Sequence, residues 1–104
     1  MTRFSADVQM PIGAEVALDL LKAVLESLDR AKQATVLDER SISVRTKVSF
    51  LSWGERVTCT VVPVEGGILV RVESKSSVAT TLFDYGVNRR NVQQVVRALN
   101  SVKG

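Results

Sequence analysis

The sequence predicts a two-layer α+β domain of order β-α-β-β-β-β-α, a curved antiparallel sheet with two helices packed on one face. Three observations carry that prediction. Several short segments alternate apolar and polar residues with a period of two, the mark of a half-buried strand, while two longer segments space their apolar residues by three and four, as helices do. The connections between the middle strands are too short for parallel crossovers, so those strands form an antiparallel meander and both helices must cover the same apolar face.

The first strand is Phe4 to Met10, where Phe4, Ala6, Val8 and Met10 alternate with Ser5, Asp7 and Gln9 before Pro11 closes it. Gly13 then precedes a helix entry, with Glu15 and Asp19 near the positive end of the dipole. This helix is predicted to run to Lys32 or Gln33. Val16, Leu20, Ala23 and Val24 overlap a second row of Ala17, Leu21, Val24, Leu25 and Leu28, a wide apolar arc that lies flat on a sheet. Lys22, Glu26, Asp29 and Arg30 form its polar face, and the Glu26 to Arg30 spacing favours an ion pair of roughly 0.2–0.5 kcal/mol.

Period two returns from Ser41 to Phe50, with Ile42, Val44, Thr46, Val48 and Phe50 facing one way and Arg45 and Lys47 the other. Val36 and Leu37 belong either to the start of this strand or to the loop before it. Leu51 to Glu55 reads as a turn or bulge around Gly54. A third strand follows from Arg56 to Val64, with Val57, Cys59 and Val61 on one face and Pro63 near its end, where a missing N–H is tolerated. Gly66-Gly67 makes a hairpin turn. The fourth strand, Ile68 to Lys75, points Ile68, Val70 and Val72 inward, and a short fifth strand is predicted around Val78 to Phe83. The last helix opens at Asn88 and buries Val92, Val95, Val96, Leu99 and Val102.

A length of 104 residues suits one domain, residues 1–104, able to fold without metal or disulfide. Fourteen Lys and Arg against eleven Asp and Glu give +3, short of the dense basic stripe of a strong nucleic-acid binder. One cysteine, Cys59, and no histidine argue against a metalloenzyme and against Cys-His nucleophilic chemistry, and no cofactor is expected. The opening residues lack the apolar core of a signal peptide and no apolar run reaches membrane-span length, so a cytoplasmic protein without membrane insertion is expected.

This element order resembles one repeat of the TATA-box-binding-protein-like fold, and in abbreviated form it resembles the helix-grip proteins, which hold apolar ligands between a sheet and a long helix. The segments Ser49-Phe50-Leu51-Ser52-Trp53-Gly54-Glu55 and Asp84-Tyr85-Gly86-Val87-Asn88-Arg89-Arg90-Asn91-Val92 look like those of small uncharacterised bacterial domains, which implies a bacterial origin. No catalytic residue carries over from these resemblances, because fold does not convey function.

Asn88, Arg89, Arg90 and Asn91 stand at a helix start, where free N–H groups and guanidinium forks suit a phosphate or carboxylate; equally, Asn88 caps the helix and the arginines are solvated. Arg45, Lys47, Arg71 and Lys75 make the outer sheet face basic and hydroxyl-rich, either a solvated face or one that meets an acidic partner or a nucleic-acid backbone. Trp53, Glu55, Asp84 and Tyr85 gather on turns, where function is often carried, although a Trp in such a place more often caps a core. The preferred reading is a small non-enzymatic binding or interaction module whose partner is a protein or a second copy of itself. The alternatives are a carrier or sensor of a small apolar ligand between the first helix and the sheet, or weak nucleic-acid binding through the basic face.

Overall fold

The computed structural model describes residues 3–47, 54–76 and 86–103. In chain order these form β1 (Arg3–Met10), α1 (Ala14–Glu26), β2 (Thr35–Asp38), β3 (Ser41–Arg45), β4 (Glu55–Val64), β5 (Gly67–Ser76) and α2 (Val87–Lys103). All strand pairs are antiparallel, in the order β1-β5-β4-β3-β2. The α+β class, the two layers and the β-α-β-β-β-β-α order therefore stand, but the strands that fill the order differ from those predicted. Val36 and Leu37 lie in a separate strand, β2, which folds back on β3 through a turn at Glu39 and Arg40. The predicted fifth strand, Val78 to Phe83, and the end of the second, Val48 to Phe50, lie outside the described residues.

The turn between β4 and β5 is Glu65-Gly66, with Gly66 at φ +84°, while Gly67 already pairs with Val64 as the first residue of β5. Gly67 has its own reason to be glycine: a Cβ there would overlap the Met10 carbonyl oxygen, so its absence lets the end of β1 approach. Pro63 is tolerated although β4 is an interior strand. The Val61 N–H donates toward the β3 side, to the Arg40 carbonyl at 2.7 Å, and the two-residue period aims the Pro63 nitrogen the same way, where β3 has already ended at Ser41 opposite Thr60.

Helix α1 stops at Glu26, nearly two turns short of the predicted Lys32 or Gln33. The Ser27 hydroxyl donates to the Val24 carbonyl at 2.6 Å, the N–H groups of Ser27 and Leu28 close tighter i to i−3 bonds, and Arg30 turns the chain with φ 65°. Glu26 does not meet Arg30. Its carboxylate takes the Lys22 ammonium at 2.9 Å and the Ala34 N–H at 2.8 Å, tying the end of the helix to the start of the returning chain.

One hydrophobic core lies between the layers. Val8 and Met10 of β1, Ile42 and Val44 of β3, Val57, Cys59 and Val61 of β4, and Ile68, Val70 and Val72 of β5 face Ala17, Leu21, Val24 and Leu25 of α1 and Val92, Val95 and Leu99 of α2. Helix α1 lies over β3 and β4, and α2 over β1 and β5. Both apolar arcs are narrower than predicted: Val16 is 52% exposed and Val102 56%, each on the solvent side of its helix.

Candidate functional site

The inward faces of the strands are apolar until they reach the end of the sheet beneath the start of α2, where they turn polar. On β4 the inward residues Val61, Cys59 and Val57 are followed by Glu55, and on β5 Val70 and Val72 are followed by Ser74 and Ser76. Glu55 and Ser76 are directly opposite in the register, with Thr46 just past β3 on the other flank. Helix α2 adds Asn88 and Asn91, which share a stripe with Val92 and Val95 at helical spacing. All are buried; Glu55 is 3% exposed, Asn91 2% and Asn88 and Ser74 0%.

These side chains form one hydrogen-bonded network. The Thr46 hydroxyl donates to Glu55 Oε1 at 2.9 Å and accepts the Glu55 N–H at 2.9 Å. Asn91 Nδ2 reaches both Glu55 Oε1, at 3.2 Å, and Ser74 Oγ, at 3.3 Å. Ser74 in turn donates to Asn88 Oδ1 at 2.7 Å, and Asn88 Nδ2 donates to Ser76 Oγ at 3.1 Å. One buried atom is left over. Among the described residues Glu55 Oε2 has no hydrogen-bond partner, in a setting where an unmade bond costs about 1–3 kcal/mol. The cluster therefore offers one free acceptor at the end of an apolar wall, held in place by donors on its sister oxygen.

The structure divides the segment Asn88 to Asn91. Asn88 and Asn91 face inward and join the network, while Arg89 and Arg90 are exposed, with the Arg89 guanidinium 5.9 Å from the centroid of the Phe4 ring. Asn88 is not the cap: α2 begins at Val87, and its first bond runs from the Arg90 N–H to the Gly86 carbonyl at 2.9 Å. Of the residues assigned to turns, Glu55 is instead the buried first residue of the interior strand β4, preceded by Gly54 at φ 93°; Trp53, Asp84 and Tyr85 lie outside the described residues. On the outer face Arg45, Lys47 and Lys75 are exposed, and Arg71 is matched by Asp7 across the β1–β5 pair at 2.9 Å.

Serine 74, Ser76 and Thr46 were not among the predicted site residues, yet the signal was available. Extending the two-residue period of β4 and β5 beyond Val57 and Val72 reaches Glu55, Ser74 and Ser76. Cys59 is buried among valines, which pushes its thiol up to about 12 and leaves no thiolate for nucleophilic work near neutrality. Among the described residues no three of Asp, Glu and Cys stand close enough to hold a metal ion, and no helix is long and apolar enough to cross a membrane.

Known proteins bear on this arrangement in two ways. Residues 4–99 match the family described as a protein of unknown function (DUF1499), and the chain belongs to that family. No curated protein sequence matches it. Among solved structures it is similar to a START superfamily protein from Mycobacterium smegmatis, with a TM-score of 0.65 at 11% identity, covering 97% of this chain and 96% of that one. The Aha1 dimer protein from Colwellia psychrerythraea gives 0.64 at 11% identity over 99% and 97% of the two chains. The di-domain ARO/CYC StfQ of the steffimycin biosynthetic pathway gives 0.63 at 12% over 98% of this chain and 50% of its own. At these identities the likeness shows the fold, which is the helix-grip one of the two folds the element order resembles.

Proposed function

We propose that this protein is a non-enzymatic binding module of the helix-grip type. Its ligand is a small molecule with an apolar body and one hydrogen-bond donor, which meets Glu55 at the α2 end of the grip. The observation that carries this reading is the buried, unpartnered Glu55 Oε2. A fold retains such an atom where a partner completes it, and every other polar side chain of the cluster already has one. The apolar residues next along the same faces, Val57 on β4, Val72 on β5 and Val44 on β3, suit the body of such a ligand. The absence of histidine from the chain and the suppressed Cys59 thiol favour binding over turnover.

The test uses N-phenyl-1-naphthylamine, a neutral apolar amine with one N–H whose fluorescence rises on leaving water. Saturable binding by the native protein is expected, with affinity roughly five-fold weaker in Glu55→Met, the worth of one hydrogen bond of about 1 kcal/mol. Native and Glu55→Met proteins that bind the probe equally, or a native protein that does not bind it, would sink the reading. Shifts of the Asn91 side-chain amide resonance on titration separate binding at this cluster from binding elsewhere.

A further inference from the structure

We propose that the outer face of the sheet is a docking track for a flexible polyanion, the phosphodiester backbone of a single-stranded nucleic acid. The register sets Arg3 opposite Lys75, Lys75 opposite Arg56 and Arg56 opposite Arg45. The bridge between Ala31 and Thr46, with the Lys32 N–H donating to the Arg45 carbonyl at 2.8 Å, adds Lys32 opposite Arg45. All these side chains are exposed, and their chain neighbours Thr46, Glu55, Val57, Ser74 and Ser76 are buried, which fixes the row on the outer face. With strands roughly 4.8 Å apart, the row runs about 19 Å straight across the sheet.

Like charges directly opposite one another on neighbouring strands destabilise a sheet. Elsewhere on this face the fold neutralises a cation by placing an acid opposite it, as Asp7 does for Arg71 at 2.9 Å. The row has no such arrangement. Among the described residues its one carboxylate contact is Glu73 to Arg3, at 3.7 Å, and Lys75, Arg56, Arg45 and Lys32 form no ion pair. A line of cations compensated only at its Arg3 end complements a line of anions.

Shape selects among the anions. The sheet is curved, and a flat lipid surface would touch only part of a row that runs across it. A flexible strand follows the whole of it. Ser5 and Thr58, two residues along β1 and β4 from Arg3 and Arg56 on the same face, add the hydroxyls that commonly meet phosphates. The described part of this face carries no aromatic side chain on which bases would stack, so recognition runs through the backbone and is independent of sequence.

The test is fluorescence anisotropy with a labelled single-stranded oligothymidine at about 50 mM salt, repeated as salt is raised. Contact with about three to five phosphates predicts a slope of log affinity on log salt of roughly −2 to −3.5. Arg56→Glu, at the centre of the row, is expected to weaken binding roughly ten-fold; Arg40→Glu, with the same change in net charge at the exposed β2–β3 turn, is expected to leave it within about two-fold. Far-ultraviolet circular dichroism checks that both variants fold, and Arg56→Gln gives the same direction with less disturbance. Equal losses in the two Glu variants, no oligothymidine binding at low salt, or co-sedimentation with phosphatidylserine vesicles in place of oligothymidine binding each overturn the proposal.

Discussion

At the scale of single residues, two buried side chains of opposite character mark the limits of sequence reading. Cys59 stands between Val57 and Val61, and its burial follows from the period alone; its thiol, pushed up to about 12 by desolvation, binds its proton more tightly folded than unfolded. The sign of the linkage follows: this contribution is fully present below the ordinary thiol value of 9.0 and is lost as pH rises from there toward the folded value, so stability should fall across that window. Denaturant melts at stepped alkaline pH test the trend. A disulfide reagent such as dithionitrobenzoate should label Cys59 in denaturant and leave it untouched in the folded protein near neutral pH; prompt labelling of the native state would contradict the burial. Glu55 was misplaced for a physical reason. A charged residue next to glycine reads as a solvated turn, because burying a carboxyl with an unpaired oxygen is the arrangement folding ordinarily avoids. Local pattern is least informative where function departs from stability.

At the scale of elements, the strand signals were the legible ones. Alternation located β1, β4 and β5 to within a residue at each end, since a half-buried strand has only one way to present its faces; it placed the start of β3 at Ser41 but carried the strand on past Arg45, where it ends. The end of α1 was hidden because no glycine or proline marks it: Leu28 continues the helical spacing although the helix has already stopped, and it is buried from the turn that follows. Neither could β2 be read from pattern, because all its residues are exposed and it has no buried face to alternate with. What fixes this region is Glu26, whose carboxylate joins Lys22 and the Ala34 N–H and is thereby held below the usual carboxylate range, first by the Lys22 hydrogen bond and then by the backbone one. A depressed carboxylate contributes stability above its unfolded pKa and loses it as pH falls through the folded value. Glu26→Gln should therefore melt at a lower temperature than the native protein near neutrality, with the gap closing as the solution is acidified below the carboxylate range. Thermal melts of both proteins over that range test this, and a gap that persists or widens in acid would show that Glu26 acts by packing alone.

At the scale of the whole molecule, the two faces of one sheet carry separate departures from a purely stable design. Inside, the apolar wall ends in a carboxyl with an unpartnered oxygen; outside, at the same end, a row of cations runs across the sheet with, among the described residues, a carboxylate partner only at its Arg3 end. The fold class was legible because element order and short connections leave few topologies. The row was not, because it exists only once the register is known: Lys75 and Arg45 were singled out as members of a basic face, while Arg3, Arg56 and Lys32 come from segments far apart in the chain and align only across the sheet. Repulsion within the row also has a consequence in the free protein. Screening falls within the strand spacing only at high salt, the Debye length being about 10 Å at 0.1 M and about 3 Å at 1 M. The native melting temperature should therefore climb as salt is raised from low ionic strength. Arg56→Gln, which relieves two like-charged neighbours at once, should melt higher than the native protein at low salt and converge with it at high salt. Scanning calorimetry at stepped salt measures both. Variants that melt alike at every ionic strength would mean that the cations splay apart far enough to ignore one another, and the row would then lose the strain that an anionic strand is expected to relieve.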